Sequence, residues 1–454
     1  MNKKKLISIS LFPVLICYGI FIFFIQTVDF FDKIKKSDYS SSNANVILIV
    51  IETLRADHLG VYGYSRNTSP FLDLFAQENV MFEYAFSTSS WTLPSVSSIF
   101  TSFYPSTIFY CMGSDELNPW FAWRIPNNFK TIAETLKENG YNTACITGNG
   151  LLNPELGYAQ GFDTFLSFDN TDASCINKQV YELLDSDTFI QCPFFLYIHY
   201  YDPHKPYDPP EGRDIYKGGI IDEYDYREAD LSEINKYDSE IFFIDTELEK
   251  ICTYLKEREL YDRSLIIITS DHGEQFHEHG DYEHGKSVYN EEIHVPLIMK
   301  LNNLRMKISH NVSLLDIYPT ILDVLGLAIP HPIQGKSLIK SANKKGRRVI
   351  LTEVARDVLK KAVIVDDAKL IVGFDETQFL ITNKTQEKCL KIFNFKRDRW
   401  EKNPLEDKHL EKKLRSDFYD LYNQYSAFNE PCIAPDNQPS EEILNKLKSL
   451  AYLN

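Results

Sequence analysis

Two groups of acidic and imidazole residues stand directly after two aliphatic runs. Glu52 follows VILIVI, with Arg55 and Asp57 close behind, and Asp271-His272-Gly273-Glu274 follows SLIIIT. Open α/β sheets form their ligand sites at the carboxyl ends of strands, so these groups are placed to meet. A carboxylate from one strand and Asp-His from another suit a single divalent cation: manganese, magnesium, zinc or calcium. Between them lies Ser90-Trp91-Thr92-Leu93-Pro94-Ser95. Pro94 marks the start of a helix, and Thr92 sits at its threshold, where unpaired N–H groups and the helix dipole favour an anion. A hydroxyl there, beside a cation, is acidified and can attack phosphorus or sulfur. The plain alternative is that Thr92 only caps the helix. His204 in YDPHKPY and His284 in HGDYEHGK can contact a tetrahedral anion or protonate a leaving oxygen. Asp202 can orient a neighbour, and Lys286 adds positive charge. His277, His279 and His294 read as ordinary polar residues.

The elements around these residues alternate. Strands are expected at Asn45–Ile51, Asn142–Thr147, Phe194–Tyr200, Ser264–Thr269 and Val295–Met299. Helices are expected from Pro94 to Phe103, Phe129 to Asn139, Ile241 to Arg258 and Leu314 to Leu325. That rhythm predicts an α/β fold, a mostly parallel sheet with helices on both faces. After about residue 340, short alternating runs at Val349–Glu353, Ala362–Val365, Lys369–Phe374 and Phe379–Thr382 predict a small antiparallel sheet. A last helix is expected over Ser440–Leu450, and a long surface loop over Asp208–Asp238. The expected organisation is therefore an anchor (1–28), a tether (29–44), a catalytic domain (45–340) and a C-terminal subdomain (341–454).

Leu6 to Val28 contains no charged residue and follows three lysines. As a helix it would span about 34 Å, enough for a bilayer core; the rival is a cleaved signal peptide, whose apolar stretch is usually shorter and whose small-x-small site Ile25 to Val28 do not offer. The lysines place the N-terminus in the cytoplasm, so the remainder is expected in the periplasm or outside the cell. A net charge of −16 makes the chain a poor candidate for nucleic-acid binding, because phosphate backbones would be repelled, and no nucleic-acid partner is expected. Eight cysteines without a CxxC pair argue against a structural zinc site and read mainly as small buried apolar residues.

The ordered motifs resemble the sulfatase family of the alkaline phosphatase superfamily. They are NVILIVIETLRADHLGVYGY, SSWTLPSVSSIFTSFYP, NFKTIAETLKENGYNTACITGN, YAQGFDTF, YIHYYDPHKPY, LIIITSDHGEQFHEHGDYEHGKSVYNEEIHVPLI and SLLDIYPTILDVLGL, with EEILNKLKSLAYL at the end. The resemblance implies an alkaline-phosphatase-like fold with one metal site. Glu52, Asp271 and His272 match the family's metal ligands, Thr92 its metal-contacting nucleophile, and His204 and His284 its residues around the transferred group. Three features depart from the pattern. Sulfatases carry Cys or Ser, converted to formylglycine, where this chain has Thr92. Val96 stands where the family has arginine, and Glu52-Thr53 replaces paired aspartates. The set Glu, Thr, Asp, His is similar to that of lipoteichoic acid synthases and phosphoethanolamine transferases.

Formylglycine hydrate releases sulfate by collapsing to an aldehyde, whereas a threonine ester must be displaced by water or another hydroxyl. The first expectation is therefore a phosphoester hydrolase or transferase acting through Thr92 on an anionic ester, a lipid head group or a glycan. The second is a sulfuric ester hydrolase working without formylglycine. The third is a non-catalytic, sulfatase-like protein that binds anions.

Overall fold

The structure is a computed structural model that describes residues 44–110, 124–218, 231–341, 348–355, 359–374 and 387–426, with isolated residues between 440 and 445. Its centre is an eight-stranded sheet. In chain order the strands are β1 (Asn45–Ile51), β2 (Val80–Phe86), β3 (Asn142–Thr147), β4 (Thr164–Ser167), β5 (Phe194–Tyr200), β6 (Ser264–Ser270), β9 (His294–Lys300) and β10 (Met306–Ser313). Between β6 and β9 lies a short hairpin, β7 (Gln275–Phe276) with β8 (Tyr282–Glu283). The spatial order is β10-β2-β9-β6-β1-β5-β3-β4.

The alternation within β1 explains the layering. Val46, Leu48 and Val50 point into one core, and Ile47, Ile49 and Ile51 into the other. Successive side chains of a strand point to opposite faces, so a strand buried on both reads as a continuous apolar run. The first core is closed by helices α2 (Thr92–Thr101), α3 (Ile132–Glu138) and α6 (Ile317–Val324). The second is closed by α1 (Pro70–Glu78), α4 (Ala173–Leu184) and α5 (Leu231–Glu257).

The expected α/β architecture, with helices on both faces, is thus present. The run Val295–Met299 forms the one reversed strand of this sheet, because β9 pairs antiparallel with both β6 and β2. The loop expected over Asp208–Asp238 gives way to α5 at Leu231; residues 219–230 lie outside the described residues. The helix expected over Phe129–Asn139 starts at Ile132, where Thr131 and Glu134 form a reciprocal capping box.

A four-stranded antiparallel meander follows: β11 (Val349–Ala355), β12 (Leu359–Val365), β13 (Ala368–Phe374) and β14 (Glu387–Asn394). The expected strand Phe379–Thr382 lies outside the described residues, as does most of Ser440–Leu450. Helix α7 (Lys408–Ser426) covers the meander through Leu414 and Phe418, a helix the sequence reading did not anticipate. Residues 1–28, expected to form the anchor, lie outside the described residues. Among the described residues no helix is long and apolar enough to cross a membrane. Cys145 and Cys252 are buried, and Cys175 and Cys192 are also free thiols.

Candidate active site

Register brings the two acidic groups together. Strands β1 and β6 are parallel neighbours with Ile51 opposite Ser270, so Glu52 and Asp271 emerge side by side. Both are fully buried. Thr53 then turns the chain sharply, at φ 55°. A β-branched residue rarely adopts this conformation, and three hydrogen bonds hold it there. Thr53 N–H donates to Asp271 Oδ1 (3.3 Å), its hydroxyl to the Pro203 carbonyl (3.1 Å), and its carbonyl accepts from the Tyr237 hydroxyl (2.7 Å). Gly273 is required on the other strand end, since a Cβ there would lie 2.0 Å from the Glu291 carbonyl oxygen.

Ligand atoms of Glu52, Asp271 and His272 all lie within 4.8 Å of one another. The protons on these residues show what they can hold. His272 Nδ1 lies 2.9 Å from the Gly273 carbonyl, which only accepts, so Nδ1 carries the hydrogen and Nε2 presents a lone pair. Burial holds His272 below its ordinary pKa and keeps it neutral. That lone pair faces Asp271 Oδ2 at 3.4 Å, and Oδ2 is buried without a hydrogen-bond partner. Burial and the adjacent Glu52 carboxylate push Asp271 upward. Glu52 is held below its usual value: burial opposes ionisation, but the facing His199 imidazole and the nearby His204 and His272 imidazoles outweigh it. Three buried ligand atoms converge here, and Asp271 Oδ2 has no hydrogen-bond partner of its own, an arrangement that fits a cation.

Thr92 is the first residue of α2, and its hydroxyl reaches this point. Its Oγ1 donates to Glu52 Oε1 at 2.8 Å and lies 3.3 Å from His272 Nε2. No side chain caps the helix: Trp91 occupies the cap position. The reading of Thr92 as a mere cap is thereby replaced, because its side chain bonds the carboxylate. Two hydroxyls dock the helix onto the β6 end, Ser87 and Ser95 both donating to the Asp271 carbonyl, Ser95 at 2.7 Å. The meander clamps the same loop through Ser89 Oγ to the Glu353 carbonyl (2.8 Å) and Thr352 Oγ1 to the Ser87 carbonyl (2.7 Å).

The histidines form the rim. His204 Nε2 lies 4.0 Å from Glu52 Oε1. The His284 ring lies 5.1 Å from the His204 ring and 4.5 Å from the His272 ring, between centroids. Its Nδ1 lies 3.1 Å from Glu274 Oε1, and Glu274 Oε2 accepts from the Tyr207 hydroxyl at 2.9 Å. Burial pushes Glu274 up to about 7 against the pull of His204 and Tyr207.

Other expected residues sit elsewhere. Asp57 pairs with the buried Arg55 guanidinium (2.8 and 2.9 Å). Asp202 accepts from Ala173 N–H (2.8 Å) and orients the start of α4. The Lys286 ammonium donates to the Tyr282 carbonyl (2.8 Å), and none of its hydrogen bonds among the described residues reaches the three ligands or Thr92.

The sequence reading missed two residues that contact the site. Asn149 donates through Nδ2 to both Glu52 oxygens (2.6 and 2.8 Å). His199 is fully buried with Nε2 3.4 Å from Glu52 Oε2. The available signal was a polar side chain inside or just after an apolar strand.

A mostly parallel sheet with a carboxylate–histidine constellation at its carboxyl end, and a helix N-terminal hydroxyl beside it, defines an alkaline-phosphatase-like enzyme fold. Solved structures share it. One, described as bound to its substrate D-glucosamine-2-N,6-O-disulfate, superposes with TM-score 0.66 at 18% identity, covering 86% of this chain and 99% of that one. The phosphonate monoester hydrolase of Agrobacterium radiobacter superposes with TM-score 0.64 at 17% identity, covering 84% and 96%. The Sulfatase family model matches residues 44–327, and the N-sulphoglucosamine sulphohydrolase C-terminal model matches residues 277–426. The chain belongs to the sulfatase family. An arylsulfatase of Clostridium perfringens is 24% identical over 396 residues, 67% of this chain and 80% of that protein. Arylsulfatase K of Mus musculus is 38% identical over 97 residues, 21% of this chain; the match spans only 17% of that relative's length.

Proposed function

We propose that this chain is a metal-dependent sulfuric ester hydrolase that uses Thr92 as its nucleophile. The observation that carries the reading is the position of Thr92 Oγ1, 2.8 Å from Glu52 Oε1 and 3.3 Å from His272 Nε2. One divalent ion held by Glu52, Asp271 and His272 would neutralise charge on the transferred group and lower the pKa of the hydroxyl. The family membership and the arylsulfatase relatives support sulfate as the group transferred. The substrate class that fits is an anionic ester of a sugar, in keeping with the sulfated glucosamine named for one structural neighbour.

The Thr92 hydroxyl gives its proton toward Glu52 Oε1 as Oγ1 bonds to sulfur. The bond from sulfur to the leaving oxygen breaks, and His284 or His204 supplies that oxygen with a proton. Water then attacks the sulfur of the threonine ester and gives one proton back to the histidine; the S–Oγ1 bond breaks, Glu52 Oε1 returns its proton to Oγ1, and sulfate leaves with the remaining proton lost to solvent. The N-terminus of α2, buried and without a side-chain cap, would favour the anion through its free N–H groups and dipole.

A second reading has its own support, the threonine itself. Threonine cannot become formylglycine, and the same attack and displacement serve a phosphoester equally well. A phosphonate monoester hydrolase among the structural neighbours accords with it. Turnover of 4-nitrophenyl sulfate against 4-nitrophenyl phosphate and bis(4-nitrophenyl) phosphate, with manganese, calcium, magnesium and zinc in turn, decides between them. Faster sulfate turnover supports the first reading, and exclusive phosphoester turnover replaces it with the second. No metal-dependent turnover of any of them counts against both. The uncharged stretch Leu6–Val28 supports membrane attachment with the site outside the cytoplasm; protease accessibility in intact cells tests it.

A further inference from the structure

Strand β5 carries a polar pair on its α2-facing side. Phe195 and Tyr197 belong to the first core, and His199 continues the same face two residues on. His199 lies opposite Val50 of β1 and Thr147 of β3, in the middle of the sheet. An imidazole there loses its hydration entirely, a cost that must be offset by hydrogen bonds. One ring nitrogen has such a bond, since Nδ1 lies 2.8 Å from the Tyr197 hydroxyl. The other, Nε2, has no hydrogen-bond partner within ordinary distance and faces Glu52 Oε2 at 3.4 Å.

The tautomer follows from the acceptor. A carboxylate oxygen only accepts, so the Nε2 that faces it is an N–H. Nδ1 then holds the lone pair, and the Tyr197 hydroxyl donates to it. Burial holds the Tyr197 phenol well above its ordinary pKa, so it keeps this proton. Tyr197 is itself fixed edge-on against Phe100 of α2, with ring centroids 4.8 Å apart. Glu52 is thereby approached from two sides. Thr92 and Asn149 engage Oε1, while Asn149 and His199 face Oε2.

We propose that Tyr197 and His199 form a buried two-residue support that orients the Glu52 carboxylate for the cation, with His199 as a positioning residue and not a ligand. The inference rests on the metal-dependent reading above. Residues behind a metal ligand usually govern affinity by about 10–100-fold when changed.

The test measures manganese affinity of the full chain by isothermal titration, with free manganese counted by electron paramagnetic resonance. His199→Phe keeps the ring volume and removes the donor, and is expected to weaken manganese binding by about 10–100-fold. His199→Gln restores an N–H near the Nε2 position and is expected to recover most of that loss. Tyr197→Phe deletes one hydroxyl, leaves the tautomer unfixed and is expected to give an intermediate loss. Circular dichroism and melting curves establish that each variant is folded. A folded His199→Phe protein with wild-type affinity overturns the proposal, and so does a His199→Gln protein as weak as His199→Phe. If His199→Phe does not fold, Tyr197→Phe decides: unchanged affinity overturns the proposal, and a loss supports it. A wild-type chain that binds none of manganese, calcium, magnesium or zinc sinks the metal-dependent reading as well. Failure of the variants alone sinks only this inference.

Discussion

The floor of the site and its rim are built on different principles. The floor is Glu52, Asp271 and His272, each at the end of a central parallel strand and each fully buried. Its geometry comes from strand register, which backbone hydrogen bonds fix over seven paired positions between β1 and β6. The rim is His204 and His284, carried by loops and braced by single side-chain contacts such as Glu274 with His284. A floor set by register cannot shift without unpairing strands. A rim set by side-chain contacts can be altered one hydrogen bond at a time. The floor should therefore determine whether the cation binds, and the rim how fast the leaving group departs.

The largest effect falls where floor and nucleophile meet. Thr92→Ala removes the attacking oxygen and should lower kcat/KM by on the order of 10⁴-fold or more, judging from losses on removing other enzymes' nucleophiles. Thr92→Ser keeps the hydroxyl and should keep measurable turnover. Steady-state kinetics on the best aryl ester check both. Residual turnover above a few per cent in Thr92→Ala would show that the floor activates water directly.

Asp271→Asn tests the floor itself. The buried Oδ2 and the His272 lone pair face each other with no donor between them. An amide relieves that repulsion but offers the cation a weaker ligand. Cation affinity should fall by roughly 100-fold or more, exceeding what changes behind a ligand cost. The metal-free variant should melt no lower than the metal-free wild type, while the stabilisation that saturating metal gives the wild type should vanish. Differential scanning fluorimetry with and without chelator reads both. A metal-induced shift that survives in Asp271→Asn would break the assignment of the floor.

Glu274→Gln sharpens the contrast from the other side. It keeps the shape that bridges His284 and Tyr207 but removes the charge next to the imidazole. A fall in kcat of about 10–100-fold is expected, within what general acid catalysis contributes, with manganese affinity unchanged. Titration calorimetry beside kinetics separates the two quantities. Equal losses in both would mean that rim and floor are one unit.

The same division explains what was legible in the sequence. VILIVI and SLIIITS announce central strands because a strand buried on both faces tolerates only apolar residues, so the residue just beyond each run stands out. Glu52, Asp271 and His272 were readable for that reason, and Thr92 through the helix start at Pro94. Contacts across distant segments were not readable. Asn149 follows β3 by two residues, yet its meaning depends on β3 lying two strands from β1 in space. His199 is a single polar letter inside FFLYIHY, and nothing in a period-2 pattern says what its ring faces. Lys286 shows the converse: its charge suggested a role at the site, but its ammonium bonds the backbone of its own loop. Helix α7 escaped notice because its apolar positions, Leu410, Leu414, Phe418 and Leu421, are diluted by charge along the rest of its length.

The smallest expected effect lies away from the chemistry, on α5, and concerns the protein's response to pH. Glu240 is almost fully buried; its Oε1 accepts from Asp208 N–H at 2.6 Å, and Oε2 has no partner. Burial, then the neighbouring Asp202 carboxylate, pushes Glu240 up to about 9. In the unfolded chain an ordinary glutamate loses its proton near pH 4.3. Above that pH the folded state binds one more proton than the unfolded state, so stability declines as pH rises. The contribution is fully present below the unfolded value and is lost once pH passes about 9. Glu240→Gln is neutral in both states and should remove this slope. Melting curves from pH 5 to 9 should therefore show the variant gaining steadily on the wild type as the pH rises. Parallel curves over that range would show that the folded Glu240 is already ionised at neutral pH, and that an unmarked donor reaches Oε2.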